Sequence, residues 1–170
     1  MHTEPFNELL ARNRDYAKGH PGGDIPPVPA LKTAVVTCMD CRIDAYSALG
    51  LRAGEAHVIR NAGGRARDAL RSLVVSQRQL GTRQIVLVTH TTCGMSSFRG
   101  GDLRGELGPA ADGIDFDTFD TPEQAAADDA DWLAAHPLVL PETTIGAFVF
   151  DVQTGELRHV KTVARPSAGR

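Results

Sequence analysis

Short apolar runs rich in β-branched residues alternate with amphipathic stretches along the chain. The runs with the length and composition of β-strands lie at 33–37, 56–61, 84–89 and 145–152. The third run is apolar almost throughout, which is typical of a strand covered on both faces of a sheet. A turn at 153–156 predicts a short partner strand at 157–162.

Two helices are predicted between these strands. Apolar residues within 66–80 fall largely on one helical face, and Gly81 supplies a stop signal. A second helix begins after Thr121, a good N-cap residue, and ends before Pro137. Strands that alternate with helices in this order predict an α/β fold with parallel βαβ units, in a single domain over residues 1–170.

Three further segments have other patterns. Residues 3–17 predict a short amphipathic helix, and the proline- and glycine-rich residues 18–30 predict a connector, so that 1–30 form an N-terminal arm. Such an arm can pack on its own domain or on a partner subunit, and the sequence leaves both open. Residues 99–121 are rich in glycine and aspartate with little periodicity, which predicts a long loop.

The amino-acid composition limits the classes of function that are expected for this chain. The hydrophobic fraction of 42% and the charged fraction of 23% are ordinary for a globular protein. Lys+Arg 18 against Asp+Glu 21 argues against nucleic acid or an anionic membrane as a partner. The first residues lack the basic start and apolar stretch of a signal peptide, so we expect a cytoplasmic protein. Three cysteines, an odd number in a reducing compartment, favour metal or thiolate chemistry over disulfides.

Candidate ligands follow two of the predicted strands. Cys38 comes directly after the first strand, and His90 and Cys93 follow the third. The carboxyl ends of parallel strands are where α/β sheets bind ligands, so these side chains can converge. Thiolate and imidazole are favoured zinc ligands, and three of them leave one position for water. In an extended segment, Asp40 and Arg42 lie on the same face as Cys38, where the guanidinium keeps the carboxylate ionised.

Three separated motifs resemble those of the β-class carbonic anhydrases, in the right order and spacing. They are Cys-x-Asp-x-Arg from Cys38, Arg-Asn-Ala-Gly from Arg60, and His-x-x-Cys-Gly from His90. Residues 146–155 are also similar to the last strand and turn of that family. The chain of 170 residues is most similar to its short branch.

The resemblance implies a three-layer α/β/α fold with a central parallel sheet of four strands, a C-terminal edge strand and an N-terminal helical arm. It also implies that the arm packs on a neighbouring subunit of a homodimer or larger homo-oligomer. One zinc ion per chain is expected on Cys38, His90 and Cys93, with Asp40 and Arg42 as a catalytic dyad. In some relatives the aspartate itself is the fourth ligand in a resting state.

The expected reaction is the reversible hydration of carbon dioxide to bicarbonate and a proton. A zinc-bound hydroxide, oriented by Asp40, attacks the carbonyl carbon. The bare backbone of Gly63 and Gly64 is predicted to line the substrate pocket with N–H groups. His57 and solvent are candidate proton carriers, although a structural role fits His57 better.

Two alternatives depart from this prediction. Cys41 would complete a Cys3His set, the composition of a closed structural zinc site without catalysis. In an extended segment, however, Cys41 points away from Cys38, which favours the role of a small buried residue. Some enzymes similar to this family hydrolyse carbonyl sulfide or carbon disulfide with the same zinc ligands. Thr92 also stands where short relatives often carry an acidic residue, so the motifs leave the substrate open between these gases and carbon dioxide.

Overall fold

The computed structural model describes residues 4–20 and 23–166, and the parts of the predicted arm and domain at 1–3, 21–22 and 167–170 lie outside them. The helices are α1 (Glu4–Lys18), α2 (Ala45–Ala48), α3 (Ala66–Arg78), α4 (Gly100–Leu107) and α5 (Pro122–Ala135). The strands are β1 (Thr33–Cys38), β2 (Ala56–Asn61), β3 (Gln84–His90), β4 (Thr144–Phe150) and β5 (Leu157–Ala164). Short 3₁₀ turns lie at Ala62–Gly64, Gly94–Ser96 and Gly108–Ala111.

The strands form one sheet in the order β2-β1-β3-β4-β5. The first four are parallel, and β5 runs antiparallel to β4 at the edge, which confirms the predicted fold class. All six residues of β1 are buried, as expected for a strand between two neighbours with both faces covered. Because β1 and β3 are adjacent and parallel, their carboxyl ends open on the same edge of the sheet.

The two faces of the sheet are covered differently. Helices α3 and α5 pack on one face through small and branched side chains, including Ala69, Leu73, Ala130 and Leu133, which are at most 2% exposed. We call this the helix face. Loops around α2 and the turn Gly94–Ser96 cover the other face, which we call the site face.

Helix α1 is confirmed as amphipathic, but its apolar side chains are not covered. Phe6, Leu9, Leu10 and Tyr16 are between 56% and 71% exposed. The connector rejoins the domain where Ala30 N–H donates to the carbonyl of Gly54. None of the helices in the described residues is long and apolar enough to cross a membrane.

The prediction of a loop over 99–121 was wrong in part, because α4 and the turn Gly108–Ala111 lie within it. Its glycines weaken any helical signal in the sequence. Tertiary contacts outweigh this propensity at Gly100, whose N–H donates to Thr118 Oγ1 over 3.2 Å. A side chain at Gly100 would press against Phe116 and Thr118 at 3.3–3.4 Å, so the glycine permits this close approach.

Candidate metal centre

Three predicted ligands meet at the carboxyl edge of the sheet. Cys38 is the last residue of β1, His90 is the last residue of β3, and Cys93 follows after a two-residue turn. Their ligand atoms lie within 4.8 Å of one another, and all three residues are buried. The adjacency of β1 and β3 therefore assembles the group that the sequence predicted.

The geometry of this group fits a tetrahedral zinc ion. The two sulfur atoms are 3.9 Å apart, and Zn–S bonds of ~2.3 Å in a tetrahedron place two sulfurs about 3.8 Å apart. The ring of His90 is 0% exposed, and its Nε2 has no hydrogen-bond partner among the described residues. Nδ1 lies 3.0 Å from the carbonyl of Thr91, so Nδ1 carries the proton and the Nε2 lone pair is free for a metal.

The two thiols are electrostatically linked. The hydrogen bond from Cys93 lowers the pKa of Cys38, with burial acting in the opposite direction. The same contact raises the pKa of Cys93, and burial raises it further. A metal bound by both sulfurs requires both of them as thiolates, so its binding would release the proton that they share in this hydrogen bond.

Asp40 lies beside the ligands but is turned toward Arg42. The Arg42 side chain donates from Nε to Oδ1 over 2.9 Å and from Nη2 to Oδ2 over 2.6 Å. The backbone N–H of Arg42 also donates to Oδ1. Asp40 Oδ2 is 3.7 Å from His90 Nε2, so the carboxylate lies next to the three candidate ligands. Hydrogen bonds from Arg42 hold the pKa of the Asp40 carboxyl well below its usual range.

A second arginine supports the backbone of the same loop. Arg60 Nε donates to the carbonyl of Cys38 over 2.9 Å, and Nη2 donates to the carbonyl of Asp40 over 2.6 Å. The register that pairs Thr37 with Arg60 brings this side chain to the loop. Arg60, the first residue of the second motif, thus supports the backbone that carries Cys38 and Asp40.

The two predicted pocket glycines occupy different surroundings. Gly63 lies on the cavity beside the ligands, at a φ of 77° that favours glycine. Gly64, at a φ of 68°, packs against backbone instead. A Cβ there would meet Cys38 N and Thr37 C at 3.0 Å, so this position requires glycine for close packing on β1.

The cavity beside the ligands has a volume of about 410 Å³. Besides the site residues already described, its lining includes Met39, Gly94, Met95, Ser97 and Phe98. The methionines and the phenylalanine make it mostly apolar. Met95 and Phe98 were not predictable as lining residues, since single apolar residues after a ligand motif carry no distinctive signal.

Two residues considered from the sequence lie outside the metal group. Cys41 is exposed, so the prediction that it is a small buried residue was wrong, and the structure gives no support to a Cys3His site. His57 lies near the amino end of β2, at the opposite edge of the sheet from the metal ligands. Its ring nitrogens contact Ser76 Oγ at 2.8 Å and the carbonyl of Pro27 at 3.3 Å, which is a structural environment.

Comparisons with known proteins agree with this geometry. The sequence profile of the family described as carbonic anhydrase matches residues 33–108. Beta-carbonic anhydrase 1 of Mycobacterium tuberculosis is 42% identical over 161 residues, which cover 91% of this chain and 96% of the relative. A carbon disulfide hydrolase of Saccharolobus solfataricus is 31% identical over 190 residues, covering 93% of this chain and 90% of the relative.

The same agreement extends to solved structures. The crystal structure of a carbonic anhydrase from Streptococcus mutans matches with a TM-score of 0.86 at 37% identity, covering 95% of this chain and 100% of that chain. The family resemblance predicted from the three motifs is thereby confirmed, and the chain belongs to the β-class carbonic anhydrases, which are lyases.

Proposed function

We propose that this protein catalyses the zinc-dependent, reversible hydration of carbon dioxide to bicarbonate and a proton. The observation that carries the proposal is the buried Cys38, His90 and Cys93 group with an ionised Asp40 beside it. A zinc ion bound there supplies Lewis acidity that lowers the pKa of a water ligand toward ~7, although two thiolates reduce this effect.

Asp40 is proposed to orient the attacking water rather than to block its place. Both carboxylate oxygens accept hydrogen bonds from Arg42, which holds the side chain as a fixed, ionised acceptor. A fixed acceptor can direct the O–H bond of a water and leave its lone pair facing the substrate. Ligation by Asp40 would require the carboxylate to leave at least part of this contact.

The cavity is proposed to select the substrate by polarity. Met39, Met95 and Phe98 line the approach to the ligands and suit an uncharged, apolar gas molecule. Gly63 is the glycine that we retain as a lining residue, and Gly64 is given a packing role. Bicarbonate is charged and leaves such a cavity more readily than carbon dioxide does, since a charge is poorly stabilised against apolar walls.

Hydrolysis of carbonyl sulfide or carbon disulfide is the second candidate. A carbon disulfide hydrolase matches this chain along most of its length, although at 31% identity against 42% for the carbonic anhydrase relative. Both sulfur compounds are small, linear and uncharged, and the cavity of about 410 Å³ can admit them. The two candidates share all their proposed ligands and differ in the preferred substrate.

One experiment separates these candidates. Protein loaded with one equivalent of zinc per chain is assayed on the same day for carbon dioxide hydration at pH 8–9 and for sulfide release from carbonyl sulfide and carbon disulfide. We expect hydration to dominate and Asp40→Asn to abolish it while zinc remains bound. Sulfide release that outpaces hydration would replace the first candidate with the second, and fully metallated protein without either activity would overturn both.

We further propose a homodimer or larger homo-oligomer in which α1 packs on a second copy of the chain. The support is the exposed apolar stripe of Phe6, Leu9, Leu10 and Tyr16, which a second copy would cover. Sedimentation of the full chain should show at least a dimer, and Leu9→Ser with Leu10→Ser should shift it toward the monomer. A cytoplasmic location stays a prediction, consistent with three cysteines in the thiol form.

A further inference from the structure

The turn that joins two of the metal ligands contains an unusual backbone conformation. Thr92 lies between His90 and Cys93 with a φ of 52°, in the left-handed region. A β-branched residue is rarely found there, because its Cβ substituents crowd the backbone. Strain of this kind persists only where surrounding contacts determine it, and it is concentrated at functional sites.

The neighbouring Thr91 already fastens the turn to the sheet. Its N–H donates to the carbonyl of Phe150 over 3.0 Å, and its Oγ1 accepts from the N–H of Val152 over 3.2 Å. These contacts anchor the end of β3 to the end of β4. The polar groups of Thr92 are therefore not needed to hold the turn on the sheet, and they point elsewhere.

Both polar groups of Thr92 contact the guanidinium of Arg42. Arg42 Nη1 donates to Thr92 Oγ1 over 3.2 Å, and Nη2 donates to the Thr92 carbonyl over 3.0 Å. The other edge of the same guanidinium donates to Asp40 from Nε and Nη2. Arg42 therefore bridges the loop after β1 and the turn after β3, and all three of its side-chain nitrogens have acceptors.

This arrangement limits the freedom of Asp40. If the Arg42 guanidinium contacted only the Asp40 carboxylate, the two groups could rotate together about the bonds of the Arg42 side chain. A planar guanidinium with hydrogen-bond acceptors at two edges cannot rotate in this way. The hydroxyl and the carbonyl of Thr92 supply the second edge. The strained φ of Thr92 is what presents both acceptors to Arg42 while Cys93 returns to the ligand group.

We infer that Thr92 is a positioning residue that fixes the Asp40–Arg42 pair relative to the metal ligands. The inference rests on the proposed function, because the oriented carboxylate matters only if Asp40 directs the attacking water. It assigns to Thr92 a role in setting the rate of the chemical step, and no role in holding the metal.

Two variants remove the hydroxyl, and only one of them relieves the backbone strain. Thr92→Val keeps the β-branched shape, whereas Thr92→Ala relieves the crowding. A loss of activity that both variants share is therefore due to the missing hydroxyl. We expect each to lower kcat/KM for hydration by roughly 3- to 10-fold, a modest loss because the carbonyl contact remains. Thr92→Ser keeps the hydroxyl and should stay within about 2-fold of the wild type. Zinc content should remain one per chain in all three.

A matched control tests whether any exposed threonine hydroxyl has this effect. Thr162 on β5 is exposed and contacts His159 Nε2 through its Oγ1 at 2.8 Å, far from the metal ligands. Thr162→Val makes the same chemical change and should leave kcat/KM unchanged. Activity in Thr92→Val and Thr92→Ala equal to the wild type would overturn the inference, as would an equal loss in Thr92→Ser.

A spectroscopic measurement keeps the test independent of the activity. In protein labelled with nitrogen-15, the Nε–H of Arg42 should exchange with water at least ~3-fold faster in Thr92→Ala than in the wild type or Thr92→Ser. Equal exchange rates would overturn the inference even if the enzyme is active. If the zinc-loaded wild type hydrates no carbon dioxide, the proposed function fails, and the exchange rates still decide whether Thr92 holds Arg42.

Discussion

The two faces of the sheet are built for different tasks. On the helix face, Ala34, Val36, Ile85 and Leu87 of the strands are at most 1% exposed and meet α3 and α5 without a gap for solvent. Among the described residues, the core of the site face contains fewer buried side chains, and Cys38 and Cys93 of the candidate ligand group are 4% exposed there. The contrast indicates that packing on the helix face supplies most of the stability, which leaves the site face free to carry thiols and a cavity.

Replacing a ligand on the site face should have the largest effect. Cys93→Ser removes one thiolate, and we expect zinc affinity to fall by more than ~100-fold, beyond the range for losing an outer-shell partner. Hydration should be lost with it. Metal content after dialysis and the hydration rate measure both. The proposed division of tasks between the two faces would be contradicted if Cys93→Ser bound zinc normally. It would also be contradicted if this variant, in the presence of a chelator, unfolded at a much lower temperature than the wild type.

Loss of the guanidinium should reduce activity without removing the metal. We expect Arg42→Gln to lower kcat/KM by ~10- to 100-fold, the range for losing a group that holds the residues at a metal site in place. Arg158→Gln is the matched control, because Arg158 forms an exposed ion pair with Glu123. A comparable loss in the control would contradict a specific role for Arg42.

The effect of Arg42→Gln on the free energy of unfolding should depend on pH. Since Arg42 lowers the pKa of Asp40, the carboxylate is ionised at every pH above about 4 in the wild type. A depressed pKa in the folded state contributes stability above the unfolded value of ~3.9, and this contribution disappears as the pH falls through the folded pKa. The stability difference between wild type and Arg42→Gln should therefore be largest near neutral pH and shrink below pH ~4, as measured by urea unfolding.

A change on the helix face should separate stability from metal binding. Leu73 is 0% exposed between α3 and the sheet, and Leu73→Ala should lower the free energy of unfolding by ~2–5 kcal/mol. Zinc content and kcat/KM should stay near the wild-type values at temperatures where the variant is folded. Leu138→Ala at a half-exposed position is the control, with a change near zero. Loss of zinc from folded Leu73→Ala would show that the faces are not independent.

The smallest effect is expected at the third cysteine. Cys41 is exposed, so Cys41→Ser should change the free energy of unfolding by no more than about 0.5 kcal/mol and should leave one zinc per chain. The variant also serves as the matched control for Cys93→Ser, since the chemical change is identical. A Cys41→Ser protein that lost its zinc would revive the Cys3His alternative.

The sequence was sufficient for features that depend on residue type and strand position. Cys38, His90 and Cys93 were predictable because ligand chemistry and the carboxyl ends of strands restrict the choice together. The extended segment predicted through Arg42 was wrong, because Cys41 and Arg42 form a turn in which the N–H of Ile43 donates to the carbonyl of Asp40. This turn, and not strand alternation, brings Arg42 to Asp40. The edge strand β5 and the antiparallel end of the sheet came from the resemblance, since a turn signal alone does not assign a strand to an edge.

Features decided by tertiary contacts were not predictable. The glycines of α4 argue against a helix, and tertiary contacts outweigh them, among them those of Gly100 with Thr118 and of Arg104 with the carbonyl of Ile114. Thr92 has a low preference for the left-handed region, so no local pattern in the sequence predicts its conformation. Arg65 is buried and donates to Asp129 over 2.9 Å across 64 positions of the chain, and charged residues at such a distance show no pattern that indicates pairing.

The position of the ligands on β1 and β3 has a consequence for folding. Cys38 and Cys93 are 55 positions apart, so the chelating group cannot form until two non-neighbouring parts of the chain have docked as parallel strands. Long-range parallel pairing is a slow and late event in folding. Metal capture should therefore follow the rate-limiting step, so that zinc prolongs the lifetime of the native state by slowing unfolding and leaves the refolding rate nearly unchanged.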